Sequence, residues 1–565
     1  MKALLLLITA TVVLGFGYRF YSKLLALWVF RLDTNYSTPA QAALADSGVG
    51  ASRHVVFGHH FAIVAGATTI TGTTIAVGWG WIPAFLWVLA GSAVAAGTYS
   101  LGSLWLAVRH GESELPDVAA ALVGPRAGTL FLALAIPLLL SINAILVWLA
   151  AVLLATYPGA ALPFWVQLLI AFVAGVFLQR RHGNGILVVS LAAVVVTAIT
   201  LWLLGKLAFA FSGALNLDVR GYSLLSVDAT MLWVVLLLVS AYYASRLPVH
   251  RLLQPRGYLA ALYTGLLLLA LLIGLALRPP AVIAPSFHAP VDAPGVVPWI
   301  FVTLTSGALA GFYLLFATGI TGRRIPRETD ARYVGFGVAI AEGLLAASAI
   351  AIAVSAFATV EQWTSYYASW TGVQDLPKLL VLYIHGFAEA AQAVGISVEF
   401  GRVFAAFVIL GLIAVSLDAG IHVQKNLLAT LAQRYQWPRL AEARVALLVT
   451  IGLVGTLALY DGRGQGGLSV WPLFGIWNQV LALGGFALIG LALQRRQQPI
   501  WFVAVPAFFV LAVIAWALPW QLALWWSSAS WLLFACGGAL LVLAIWLGWE
   551  TVRAWKQDTG SAPHA

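Results

Sequence analysis

Acidic side chains are scarce in this chain: 20 Asp and Glu in 565 residues, against 30 Lys and Arg. Charged residues of both signs make up 9%, where a soluble domain carries roughly 25%. So few charges cannot cover a water-facing surface, which excludes a soluble globular protein. Cysteine is reduced to Cys536 alone, which excludes an intrachain disulfide and argues against a thiolate metal cluster. No small-residue cleavage site follows the apolar stretch 3–17, so that stretch reads as a first span and not as a removable leader. Phosphate-binding loops, zinc-protease helices and hydrolase elbows are all missing. The Gly-rich run from Gly462 to Gly467 follows no strand and reads as a turn. These absences point away from an enzyme and from an ATP-driven pump.

What is present is apolar length. Hydrophobic residues make up 62% of the chain and mean hydropathy is +0.95. About 20 mostly apolar residues cross a bilayer as a helix, and about fifteen segments qualify. They lie near 3–20, 57–79, 82–108, 128–156, 162–179, 185–212, 229–248, 257–278, 297–320, 333–358, 400–424, 441–460, 468–494, 499–518 and 523–548. Trp residues gather near their ends, as indole rings do at the lipid–water interface. Basic residues alternate with this count. Lys23, Arg53, Arg109, Arg126, Arg180, Arg251, Arg256, Arg323, Arg324, Arg434, Arg495 and Arg553 fall in every second loop, whereas Arg220, Arg278 and Arg463 are the main ones opposite. The positive-inside rule then places the N-terminus outside and the C-terminus in the cytoplasm. The net charge of +10 follows from the same loops and implies no nucleic-acid partner. Residues 279–296 read as a proline-rich external loop, and 361–399 as an external segment with an interfacial or re-entrant helix.

Two segments look interrupted. "FGHHFAIVAGATTITGT" at 57–73 packs Gly66, Thr68, Thr69, Gly72 and Thr73 into a span, and "YYASRLPVHRLLQPRG" at 242–257 ends another with two prolines. The spans that carry them start blocks of five helices that begin on opposite sides. That is an inverted five-plus-five arrangement of the LeuT type, in which broken helices place freed backbone groups at a midplane site. The blocks would be 55–212 and 229–430. A helix and cytoplasmic segment (1–54) precede them; accessory helices (441–548) and a tail (549–565) follow. The third helix of the second block, 297–320, would face the first broken helix. Its Thr and Ser hydroxyls, Thr318 and Thr321 among them, are hard oxygen ligands suited to sodium or to polar substrate groups.

"GYRFYSKLLALWVFRLDTNYSTPA", "VVFGHHFAIVAGATTITGT", "ASRLPVHRLLQPRGYL", "GALAGFYLLFATGITGRRI", "DARYVGFGVAIAEGLLA", "SLDAGIHVQKNLL" and "WPLFGIWNQVLA" follow one another in order. Across roughly 17–495 the chain thereby resembles the carbon starvation protein family of bacterial transporters. The resemblance implies an inner-membrane uptake carrier for peptides or pyruvate in the amino acid–polyamine–organocation superfamily. Departures are clear. Ala67-Thr68-Thr69-Ile70-Thr71-Gly72-Thr73 stands where the family has a Gly-Pro pattern, and Asp418-Ala419-Gly420-Ile421-His422 where it has Asp-Ala-Gly-Thr-Arg.

The candidate residues each carry two readings. Gly66, Thr68, Thr69, Gly72 and Thr73 form a substrate site at an unwound turn, or let helices pack closely. His59 and His60 serve proton coupling or gating, or only bond backbone and interface. Being adjacent, they point about 100° apart and cannot readily share a metal. Glu342 in mid-span is a proton relay or a structural carboxyl. Asp418 is a gate or coupling group, or a salt-bridge partner of Arg246 or Arg251. Arg246 and His250 are gating candidates. Asn478 and Gln479 bond between helices. The expectation is a secondary transporter without cofactor or resident metal, coupled to protons or sodium, with self-association left open. The alternative is a divergent membrane sensor or structural subunit that no longer transports.

Overall fold

A computed structural model describes residues 1–47, 52–180, 185–206, 215–219, 222–227 and 229–560. Among the described residues, twelve helices are long and apolar enough to cross a membrane. In chain order they and the intervening helices are α1 (Ala3–Val29), α2 (Arg53–Val64), α3 (Ala67–Trp79), α4 (Trp81–Arg109), α5 (Leu115–Leu122), α6 (Pro125–Thr156), α7 (Pro158–Leu178), α8 (Gly185–Leu204), α9 (Ala229–Arg246) and α10 (Leu253–Leu277). There follow α11 (Val296–Thr303), α12 (Phe312–Phe316), α13 (Arg332–Ala353), α14 (Val360–Tyr366), α15 (Leu376–Gln392), α16 (Val398–Arg434), α17 (Ala443–Leu459), α18 (Gly466–Arg495), α19 (Trp501–Ser527) and α20 (Trp531–Asp558). The pair α2 and α3 passes as a thirteenth span bent by 51°. Two expected spans are less regular: α17 has 17 residues, and 297–320 breaks into α11, an irregular stretch and α12. The helical reading needs one amendment, a hairpin of β1 (Leu215–Val219) and β2 (Tyr222–Val227) with Leu215 opposite Val227.

The burial pattern is that of a membrane bundle. Helices at the rim, α8 and α20, turn large apolar side chains such as Leu187, Val188, Ile545 and Trp549 outward. Lipid tails are as apolar as those side chains, so nothing drives them inside. α16 and α13 are covered almost all round and form the centre.

The loops assigned to one side touch one another. Among those expected in the cytoplasm, Arg53 pairs with Asp330, Arg109 with Glu328, Arg126 with Glu550 and Arg495 with Asp558. On the opposite side Ala3 N–H donates to Pro280, Ile283 to Val354 and Val291 to Ala368. Arg256 departs from the pattern: it is no loop cation but is buried on α10.

The sequence expectation of a second break near 246–255 is not met. α9 runs unbroken to Arg246, and the two prolines fall in and after a turn that leads into α10. Pro248 lacks the N–H that would continue α9, and Pro255 sits in the first turn of α10, where that group is not needed. The second broken helix is instead at 304–311, so the two breaks do not open matching blocks of five.

Candidate functional site

The first break is small. Ala65 and Gly66 leave the helical conformation, and α3 restarts at Ala67. Space is tight at Gly66: a Cβ there would stand 3.3 Å from Ser416 Oγ, which would have to give way slightly. The carbonyl of Ala62, freed by the break, accepts from Ser416 Oγ of α16 at 3.1 Å. Gly72 serves a different purpose, since a Cβ would meet the Thr303 carbonyl at 2.9 Å. It lets α3 and α11 approach backbone to backbone.

The second break is longer, and Gly307 takes a left-handed φ of +91° within it. Without helix bonds, its backbone groups need side-chain partners, because lipid offers none. Ser92 Oγ donates to the Gly307 carbonyl at 2.8 Å, Gly311 N–H donates to Asn478 Oδ1 at 2.9 Å, and Tyr99 donates to the Gly311 carbonyl at 3.3 Å. Gln479 Nε2 holds the Phe301 carbonyl at 3.0 Å. Asn478 and Gln479 therefore bond between helices as expected, and their purpose is to support the break.

Glu342 of α13 joins the two breaks. Its Oε1 accepts from Thr69 Oγ1 at 2.9 Å and from Gly307 N–H at 2.8 Å, and its Oε2 accepts from the Tyr313 hydroxyl. Three neutral donors from α3, the irregular stretch and α12 thus converge on one carboxylate. No ion pair reaches it among the described residues. Thr68 Oγ1 and Ser306 Oγ, 3.0 Å apart, add a second tie beside it.

Two cavities meet at Thr68. A vestibule of about 430 Å³ runs from Asp292 and Pro294 on the side assigned external down to Thr68, Gly72, Thr303 and Thr305, with Trp299, Trp370, Trp471 and Trp520 in its wall. Behind it lies a compartment of about 30 Å³ between Gly66, Thr68, Asn143, Ser306, Ser416 and Gly420. That is room for about one water molecule. Asn143 Oδ1 is buried there without a hydrogen-bond partner. Asn143 Nδ2 donates to Gln424 Oε1 at 2.9 Å. Further down, Arg323 Nη2 holds Glu114 Oε1 at 2.7 Å, and Asn426 Nδ2 reaches the same oxygen at 3.2 Å.

The expected residues divide accordingly. Gly66, Thr68, Thr69, Gly72 and Glu342 come together at the breaks. Thr73 only back-bonds to the Thr69 carbonyl at 2.6 Å, and Thr318 to the Leu314 carbonyl at 2.9 Å. Thr318 is thus not turned towards the site. Thr321 pairs with His60 Nδ1 at 3.0 Å. The His59 ring lies against Gly257, where a Cβ would sit 2.7 Å from Nδ1. The two histidines thus face different helices. Asp418 bonds to Arg256, both deeply buried, and not to Arg246 or Arg251. The correction follows from register: Arg256 lies inside α10, which packs along α16. Arg246 is exposed and stacks 5.7 Å over Tyr242, while His250 lies in the turn after α9. Neither Arg246 nor His250 lines the cavities at the breaks. Tyr313, Asn143 and Ser416 went unmarked in the sequence, whereas Ser306 and Gly307 belong to the hydroxyl-rich segment 297–320 expected to face the first broken helix.

Comparison with known proteins agrees with this picture of a helical membrane protein. The Escherichia coli (strain K12) pyruvate/proton symporter BtsT is 27% identical over 92% of this chain and 81% of its own length. The Mycobacterium tuberculosis (strain ATCC 25618 / H37Rv) peptide transporter CstA is 27% identical over 88% and 72%, and that of Campylobacter jejuni is 25% identical over 90% and 79%. A manganese transporter structure from Eremococcus coleocola aligns at 12% identity over 87% of this chain and 95% of its own, with a TM-score of 0.38, too loose a likeness to argue from. The family described as Carbon starvation protein CstA matches residues 2–368 and 378–517. With most of its length matched, this chain belongs to the carbon starvation protein CstA family.

Proposed function

We propose that this protein is a secondary active transporter that takes up a small peptide or a short carboxylate such as pyruvate across the bacterial inner membrane. The N-terminus is outside and the C-terminus cytoplasmic. The names of the relatives support the transporter class, and the basic loops support the orientation. The observation that carries the reading is Glu342, a buried carboxylate without a cation that ties two broken helices together beside an accessible cavity.

The proposed mechanism starts from donor arithmetic. An ionised carboxylate only accepts, so all three donors can bond to it. A proton on Glu342 Oε2 makes that oxygen a donor, so the Tyr313 hydroxyl must stop donating to it, while Oε1 can keep Thr69 and Gly307. The change in the Tyr313 bond alters the tie between α12 and α3. Glu342 is thus the proposed proton acceptor, and protons the proposed coupling ion. A sodium ion could meet the same oxygens, which are hard ligands. Substrate enters by the vestibule, and its carboxylate meets Thr68 and the N-terminus of α3, the positive end of that helix. His59, His60, Thr321 and Asp418 lie on the cytoplasmic half, where exit must open. The rocking units we propose are the blocks 55–212 and 229–430, with the accessory helices as a frame.

Proteoliposome uptake of labelled pyruvate and alanyl peptides under imposed proton or sodium gradients tests this reading. Uptake driven by a proton gradient is expected. The absence of flux under every gradient would instead favour a sensor. Gly66→Leu fills the compartment behind Thr68 and abolishes uptake, while membrane insertion is kept. Normal uptake in that variant would remove Gly66 from the site.

A further inference from the structure

A second cavity opens on the side assigned external, sharing no lining residue with the vestibule. Its volume is about 620 Å³, and it lies where α15 meets the ends of α10, α13 and the start of α16. Lys378, His385 and Glu389 recur at helical spacing on α15 and so share a face of that amphipathic helix. Arg402 enters from the first turns of α16 and Arg278 from the end of α10. The floor is apolar, with Leu275, Ile352 and Phe357.

The charge balance is unusual for an external face. Three permanent cations line the hollow against one carboxylate, the exposed Glu389. None of Arg278, Lys378 and Arg402 forms an ion pair among the described residues. Arg402 Nε is buried and has no hydrogen-bond partner. Lys378 Nζ is held 4.0 Å over the Tyr366 ring, and Tyr366 in turn donates to the Lys378 carbonyl at 3.0 Å. Burial, helped by nearby Arg402 and opposed by Glu389, keeps His385 below its ordinary value. A neutral ring there can donate one further bond. Positive-inside placement gives these cations no role, since they lie on the wrong side. A half-buried guanidinium without an ion pair, above an apolar floor, is the arrangement that recognises an anionic head with an apolar body.

We infer that this hollow, built by Arg402, Lys378, Arg278 and His385, is a second binding site, for the carboxylate or phosphate group of an organic anion. The site is independent of the Thr68 cavity in its residues. It is joined to it mechanically, because Tyr383 of α15 bonds Ser348 of α13 at 2.9 Å, and α13 carries Glu342. The external placement rests on the orientation proposed above; the binding itself does not.

The test is calorimetric titration and thermal unfolding of the full chain in phosphatidylcholine nanodiscs. Pyruvate and inorganic phosphate probe a free anion, and nanodiscs containing phosphatidylglycerol probe a lipid headgroup. Saturable binding or a raised Tm is expected from one source or the other. The double variant Arg402→Gln/Lys378→Gln should weaken it at least about tenfold, while Arg402→Lys keeps part of it. A response to phosphatidylglycerol alone assigns the site to lipid, and one to pyruvate or phosphate assigns it to a soluble anion. Because pyruvate is also the proposed substrate, the same titration of Gly66→Leu separates the two sites: the binding lost in Arg402→Gln/Lys378→Gln must survive in Gly66→Leu. No binding from any source, or binding equally strong in a folded Arg402→Gln/Lys378→Gln protein, overturns the inference. Failure of uptake in proteoliposomes leaves it standing, since none of these readouts requires transport.

Discussion

Two buried carboxylates on different helices are satisfied in opposite ways. Asp418 on α16 faces the guanidinium of Arg256, charge against charge. Glu342 on α13 faces two hydroxyls and a backbone N–H, with no cation paired to it among the described residues. In a low-dielectric interior a charge paired with a cation resists change, because removing either partner strands the other. A carboxylate held by neutral dipoles can accept a proton at the cost of rearranging one hydrogen bond. The first arrangement fixes α10 to α16; the second can switch. The difference explains why a carrier would use one as a fixed clasp and place the other between its broken helices.

Asp418→Ala breaks the comparison most severely. It strands Arg256, whose Nε and Nη2 already lack partners, and should cost about 3–5 kcal/mol of stability. Thermal unfolding in detergent checks this. Asp418→Ala/Arg256→Leu should recover part of the loss, and no recovery would mean that packing and not charge holds the pair. Glu342→Gln keeps the shape but cannot ionise. Proton-driven uptake should fall at least tenfold or so, with whatever uptake remains independent of pH. An unchanged pH profile would sink Glu342 as the coupling group. Tyr313→Phe removes one donor of three but leaves a carboxyl that can still ionise, so it should act more mildly than Glu342→Gln. Its reading is a shifted pH optimum of uptake with the protein still folded.

The smallest effect concerns a third carboxylate. Burial pushes the Glu114 carboxyl up to about 7 from an ordinary 4.5, although Arg323 and Asn426 pull it down. The folded chain therefore holds this proton where the unfolded chain has lost it. Its contribution to stability is full below pH 4.5 and is lost as pH rises through about 7. Unfolding midpoints measured across that window should show a slope of roughly 1 kcal/mol per pH unit that Glu114→Gln flattens. An equal slope in both proteins would assign it to other groups.

The candidate site was legible in part, for reasons visible in single residues. Gly66 and Thr68 stood out because Gly and Thr are poor choices for a plain lipid-facing helix. Glu342 stood out because a charge in mid-span is costly. The turn at Pro248 looked like a break because a proline stops a helix whether or not the chain was about to turn. The partners of Asp418 and Glu342 lay 162 residues and up to 273 residues away in the chain, beyond the reach of any local pattern.

The sequence by itself determined the medium, the helical spans, the alternation of loops and the irregular helix at Gly66. Those follow from hydropathy, backbone hydrogen bonding and the placement of basic residues, which act locally. Tertiary structure alone decided where the second break falls, that Asn478 and Ser92 satisfy it, and that Arg256 meets Asp418. It alone turned the spaced Lys378, His385 and Arg402 into one cationic hollow. Helix packing sets those meetings through register and shape, and a membrane span carries too little side-chain variety to encode its neighbour in its own residues.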